Sequence, residues 1–169
     1  MKKIIALVIV LSVFISCEKD DICSSETSTT PMLVLRFYDI AAEDETKQVP
    51  NLLVYGLNDS SEIVLFDRIG LTASNTDSIA IPLRTDGNLT RFVLHRDFEG
   101  DDFQTGNFDI ITANYEREDL YVSRACGYKD IFNDLTLNLE TDTDNWIINS
   151  EILNTTIKNE ITAHVKIFH

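Results

Sequence analysis

Apolar and polar residues alternate with a period of two in short runs from Met32 to Phe168, the spacing that sends successive side chains to opposite faces of a strand. The first run, Leu33-Val34-Leu35-Arg36-Phe37-Tyr38, predicts a strand over Met32 to Tyr38, followed by a charged loop over Ala41 to Gln48. β-rich runs over Leu52 to Leu57 and Glu62 to Ile69 flank Asn58-Asp59-Ser60-Ser61, whose residue types favour a turn and hence a hairpin. In Ser78 to Arg84, Ile79, Ile81 and Leu83 share a face. Pro82 cannot donate to a ladder, so this strand belongs at an edge or leaves a position unpaired.

Asp86-Gly87-Asn88 turns the chain into a strand over Thr90 to Arg96, and Phe98 to Gly106 is an acidic, glycine-bearing loop. Two more strands are expected over Asn107 to Tyr115 and Leu120 to Ala125, separated by the charged Glu116 to Asp119, and Tyr128 to Asn133 reads as a turn of helix. Leu135, Leu137 and Leu139 alternate with polar neighbours as a half-buried strand. Trp146 to Leu153 and Glu160 to Phe168 form a closing hairpin, with Ile161, Ala163, Val165 and Ile167 inward and Thr162, His164, Lys166 and Phe168 outward.

Beyond residue 16 no window of helical length carries a 3.6-residue apolar period. Nine or ten short strands predict an all-β domain over residues 32–169: a single antiparallel β-sandwich, immunoglobulin-like in class, with a barrel as the alternative. Arg124 stands two residues before Cys126, where a tyrosine corner would place Tyr, so the class is indicated and not the superfamily.

The start of the chain has a different pattern. Lys2 and Lys3 precede an apolar run, Ile4 to Ile15, broken only by Ser12, too short for a mature transmembrane helix and suited to a secretory signal over residues 1–16. Ser16-Cys17 resembles the lipobox of bacterial lipoproteins, which implies cleavage before Cys17 and acylation of its thiol. Residues 17–31 then form the lipidated N-terminus and a polar linker, Ser24 to Thr30, ending at Pro31. Glu18-Lys19-Asp20-Asp21 resembles the export signals that carry some lipoproteins of Bacteroidota to the cell surface; a solvated spacer is the other reading. The expected location is the outer membrane, lipid-anchored, facing periplasm or exterior.

Removing residues 1–16 reduces 14 basic residues to 12 against 28 acidic ones, a net charge of −16. That balance argues against nucleic acid and anionic membrane surfaces as partners. With Cys17 acylated, Cys23 and Cys126 are the remaining thiols, and export to an oxidising compartment predicts a disulfide between them, with two free buried thiols as the alternative. Between Cys17 and Cys23 six extended steps reach about 20 Å at most, so the domain is expected close to the membrane.

Candidate chemistry is sparse. His95, His164 and His169 are the histidines, none at metal-ligand spacing on one element, and surface positions are expected for them. Asp97 to Asp102 and Asp142 to Asn145 lack calcium-loop spacing, and no Gly-x-Ser-x-Gly occurs. No catalytic residue, metal or cofactor is therefore assigned, and a hydrolase using two of the 28 carboxylates is the third reading after a binding or structural module and a glycan-binding one. Arg124, Tyr128 and Lys129 around the expected bridge, and His164 and Lys166 on the last strand, are candidate interaction residues for an envelope protein or glycan. Tyr121, Tyr128, Trp146 and Phe168 would serve a glycan if exposed. Asp77-Ser78-Ile79 resembles a short bacterial O-glycosylation signal, making Ser78 a candidate site.

Tyr121-Val122-Ser123-Arg124-Ala125-Cys126-Gly127-Tyr128-Lys129, with Cys17-Glu18-Lys19-Asp20-Asp21-Ile22-Cys23 and the terminal His164-Val165-Lys166-Ile167-Phe168-His169, is similar to an uncharacterised lipoprotein family of Bacteroidota, a domain of unknown function. The resemblance implies a lipoprotein with a β-sandwich and carries no activity.

Overall fold

The computed structural model describes residues 22–23, 29–66, 72–100 and 102–169, and among them contains eleven strands and no helix. Cys17, the signal sequence and the acidic tetrapeptide lie outside the described residues. The strands are β1 (Leu33–Asp39), β2 (Ala42–Thr46), β3 (Val49–Leu57), β4 (Ile63–Val64), β5 (Ser74–Thr76), β6 (Ser78–Ile81), β7 (Leu89–Arg96), β8 (Asn107–Ser123), β9 (Gly127–Leu139), β10 (Asn149–Ile152) and β11 (Val165–Phe168).

They form a β-sandwich. One sheet has the order β10-β11-β1-β2, with β6 also on β1; the other runs β4-β3-β7-β8-β9, with β5 also on β3. Every pair is antiparallel except β1 with β11, where Leu35 stands opposite Val165 and Phe37 opposite Ile167. Alternate residues of both sheets meet in one core: Leu33, Leu35, Phe37, Val165 and Ile167 against Leu52, Val54, Phe92, Leu94 and Ile111. The expected inward face of β6 is seen, with Ile81 and Leu83 buried and Ile79 packed against the core. As Pro82 required, β6 is an edge strand, paired with β1 alone among the described residues.

β3 is buried on both faces, which accounts for its unbroken apolar run Leu52 to Gly56. Leu53, Tyr55 and Val93 point away from the main core into a second cluster, covered by Phe98 and Phe103 of the 97–106 loop.

Three regions depart from the sequence expectation. Glu116 to Asp119 is no loop, and Tyr128 to Asn133 no helix: both belong to the long hairpin β8–β9, with bulges at Asn114/Glu116 and Tyr121/Ser123. Cross-strand partners support the charged run, Arg117 Nε lying 3.1 Å from Asp130 and Asn133 donating to Glu118. The charged segment after Ala41 is mostly the edge strand β2, whose Glu43, Asp44 and Glu45 are exposed, as suits an edge that must resist pairing. The closing hairpin is shorter than its alternation suggested. Asn154 and Asn159 accept the N–H groups of Thr156 and Ile161, local turns that compete with a ladder.

Candidate functional site

Cys23 and Cys126 are joined, their Cα atoms 4.9 Å apart. The bond does not cross the sandwich core. It ties the N-terminal segment to the turn of the β8–β9 hairpin, where Cys126 N–H donates to Ser123 Oγ and Gly127 takes a φ of +70°. Phe132 is the outermost fully buried residue of β9 on the way to the turn; past it the strands leave the sandwich. Linker and hairpin meet again where Asp130 N–H donates to Thr30 Oγ1.

The hairpin end is amphipathic. Tyr121 and Tyr128 stand opposite each other in the register, their rings edge to face at 5.4 Å. They are 54% and 69% exposed, with Leu120 at 42% and Ile22, beside the bridge, at 81%. Arg124 is exposed in the turn and Lys129 is half-buried. The structure thus collects Cys23, Cys126, Arg124, Tyr128 and Lys129 at one end of the molecule.

His164 and Lys166 belong to the other sheet and form no part of that end. His164 corrects the sequence expectation of an outward side chain: it is 2% exposed, and its Nδ1 accepts the N–H of Val34 while its own N–H donates to the Val34 carbonyl. It continues the parallel β1–β11 register by one step through its ring, and burial pushes its pKa down. Lys166 is half-buried, its Nζ 3.7 Å from Glu151 and 5.0 Å above the Tyr38 ring. His95 and His169 are buried too, so the expected surface histidines are interior ones. His95 sits among the rings of Tyr55, Phe98 and Phe108, bonded through Nε2 to the Thr105 carbonyl. Among the described residues no three His, Cys, Asp or Glu side chains group as a metal site would require.

Two of the four aromatics considered for glycan stacking are inside. Trp146 donates from Nε1 to the Leu94 carbonyl with its ring 6.2 Å from Phe37, and Phe168 lies 5.9 Å from Tyr38. Ser78 is half-buried, and its hydroxyl donates to the Leu35 carbonyl.

A feature absent from the sequence reading is a cleft of about 320 Å³ between the β3–β4 turn and the segment before β7, lined by Leu57, Asn58, Asp59, Val64, Phe66, Arg84, Asp86 and Arg91 among others. Arg84 donates to both oxygens of Asp86, at 2.9 and 3.2 Å, and to Asp59 at 3.1 Å. The hydrogen bonds from Arg84 hold the Asp86 carboxyl below its ordinary range. Arg91 bridges Ser61 and Glu140. The cleft therefore offers paired donors and acceptors above an apolar floor of Val64 and Phe66. Its residues come from β3, β4, β7 and the segments between strands, so only Asn58, Asp59 and Asp86, each in a predicted turn, gave any local signal.

A family model matches residues 51–169, and its description is "Family of unknown function (DUF6452)". No curated protein and no solved structure matches the chain. The matched region starts within β3, so β1, the linker and Cys23 precede it, whereas Cys126 and β11 fall inside.

Proposed function

The chain belongs to that family of unknown function, and we propose that it is a membrane-anchored cell-envelope lipoprotein whose β-sandwich is a non-catalytic binding or structural accessory module. The observation that carries the reading is the bridge: it fastens the domain six residues after Cys17, which gives the tether little length to spare. A short tether suits a protein whose role depends on its position at a membrane. The signal-like start, the lipobox-like Ser16-Cys17 and the likeness to lipoproteins of Bacteroidota favour the outer membrane, facing periplasm or exterior.

Fractionation of cells expressing the full chain and its Cys17→Ala variant tests the anchor. The wild-type chain is expected with the membranes and the variant in the soluble exported fraction; equal membrane partition of both removes the reading. Crosslinking in intact cells followed by mass spectrometry then tests for an envelope partner, which should vanish in the variant.

A second reading, a glycan- or small-ligand-binding module, is favoured by the Arg84–Asp86 cleft. Paired guanidinium and carboxylate groups over apolar carbons are the groups that recognise vicinal hydroxyls. Ligand-induced chemical shifts at Thr90 and Arg91 that disappear in Arg84→Ala would establish it.

A further inference from the structure

The end of the hairpin that carries the disulfide also carries exposed apolar surface, and the tether fixes how far it can stand from a bilayer. Cys23 follows Cys17 by six residues, and six extended steps reach about 20 Å at most. The bridge then sets the Cys126 Cα 4.9 Å from that of Cys23. On an acylated chain the hairpin turn stays within about 25 Å of the acyl chains.

The surface brought there has interfacial chemistry. Ile22, Leu120, Tyr121 and Tyr128 are each exposed at the hairpin end or beside the bridge, Leu120 on the opposite face of the ribbon from the Tyr121–Tyr128 pair. Tyrosine, with an apolar ring and a hydroxyl that stays hydrated, concentrates at the boundary between headgroups and acyl chains. From Leu120 to Lys129 the chain has two cations, Arg124 and Lys129, and no carboxylate, with Asp119 and Asp130 paired across the hairpin just outside this stretch. Arg124, exposed in the turn, is a side chain of the kind that reaches lipid phosphates.

We propose that the β8–β9 hairpin end seats in the headgroup layer of the bilayer that holds Cys17, with Tyr121 and Tyr128 at the acyl boundary and Arg124 toward the phosphates. This rests on the lipid-anchor reading. Two tyrosines bind a bilayer weakly by themselves. With the tether holding them at the surface, the contact is effectively intramolecular and decides orientation. The domain then stands on its hairpin, and Phe108, near the opposite end of β8, points away from the membrane at about 40 Å.

Hydroxyl-radical footprinting separates the two ideas. The full acylated chain, reconstituted in vesicles of phosphatidylethanolamine and phosphatidylglycerol, is compared with the Cys17→Ala chain in solution. Oxidation of Tyr121 and Tyr128 is expected to fall about threefold or more on vesicles, with Phe108 unchanged. Equal labelling on a chain that floats with the vesicles overturns the seating and leaves the anchor intact. A wild-type chain made in its own cells that carries no lipid overturns both. Protection in native membranes but not in pure lipid vesicles gives the surface to a protein partner instead, and also overturns the proposal.

Discussion

The Asp109 carboxylate accepts the backbone N–H of Ile147 at 2.8 Å through Oδ2 and the side-chain amide of Asn145 at 3.2 Å through Oδ1. Asp109 is fully buried, and burial pushes its carboxyl above the ordinary value while these hydrogen bonds oppose the shift. The pair clamps the loop after β9 onto β8 and so places Trp146 against Phe37. Asp109→Ala leaves the buried Ile147 N–H without an acceptor and is expected to cost about 1–3 kcal/mol. Asp109→Asn keeps one acceptor oxygen and should lose less. Urea unfolding of the three proteins orders them, and an Asp109→Ala chain as stable as wild type would remove the clamp.

Acid should weaken the fold through its histidines. His164 and His169 both have pKa values lowered chiefly by burial, so the unfolded chain takes up their protons first as pH falls. Their contribution is complete above about pH 6.5 and is lost as pH drops through the folded values. Asp109, shifted up, acts in the opposite sense: its stabilising part is full below 3.8 and disappears as pH rises through its folded value. His164 meets Val34 N–H at Nδ1 and has Glu160 nearby, whose charge moderates the shift. His164→Asn, with an oxygen in place of the titrating nitrogen, should be less stable at pH 7.5 yet show a shallower loss on acidification. An unchanged slope would assign the pH dependence elsewhere.

The bridge closes a loop across a sequence separation of 103, for which chain entropy allows up to ~4.7 kcal/mol. Because it lies at the hairpin end and outside the core, its loss should lower stability by about 2–4 kcal/mol while the sandwich still folds cooperatively. Urea unfolding of the Cys23→Ser/Cys126→Ser chain should coincide with that of the reduced wild type. If reduction leaves the midpoint where it was, the N-terminal segment is not a constraint on the unfolded chain.

The period of two revealed most of the strands, because half-buried faces impose it on Leu33 to Phe37, on Ile79 to Leu83 and on Leu135 to Leu139. It failed where burial does not set the pattern. Glu116 to Asp119 remains a strand through cross-strand pairs with residues 11 to 17 positions away, which no local window contains. His164 alternates as an outward residue, yet it lies immediately before β11, and its ring takes the place of a ladder partner for β1. At the candidate site, cysteine arithmetic indicated the bridge and the residues around it. The pairing of Tyr121 with Tyr128 was hidden by the expected helical turn. The cleft was hidden more completely, since Arg84 and Asp59 meet across 25 residues of chain.

The 97–106 loop supplies a final test, because its cover over Tyr55 depends on a close return of the backbone at Gly106. Gly106 has a φ of +67°, and a Cβ there would strike the carbonyl oxygen of Arg96 and the backbone of Asp97. Gly127 has nearly the same φ, +70°, with open space around its missing Cβ. The two positions separate backbone strain from steric clash. Gly127→Ala carries the left-handed penalty alone, about 1–2 kcal/mol. Gly106→Ala adds the displacement of a backbone carbonyl and should cost more, lifting the loop from Phe98 and Phe103 and exposing the Tyr55 cluster. Faster amide exchange at Tyr55 and Val93 in Gly106→Ala, without change there in Gly127→Ala, is the expected pattern. Equal destabilisation of the two with no change in exchange at Tyr55 would mean that the loop closes over the sheet without needing glycine at its return.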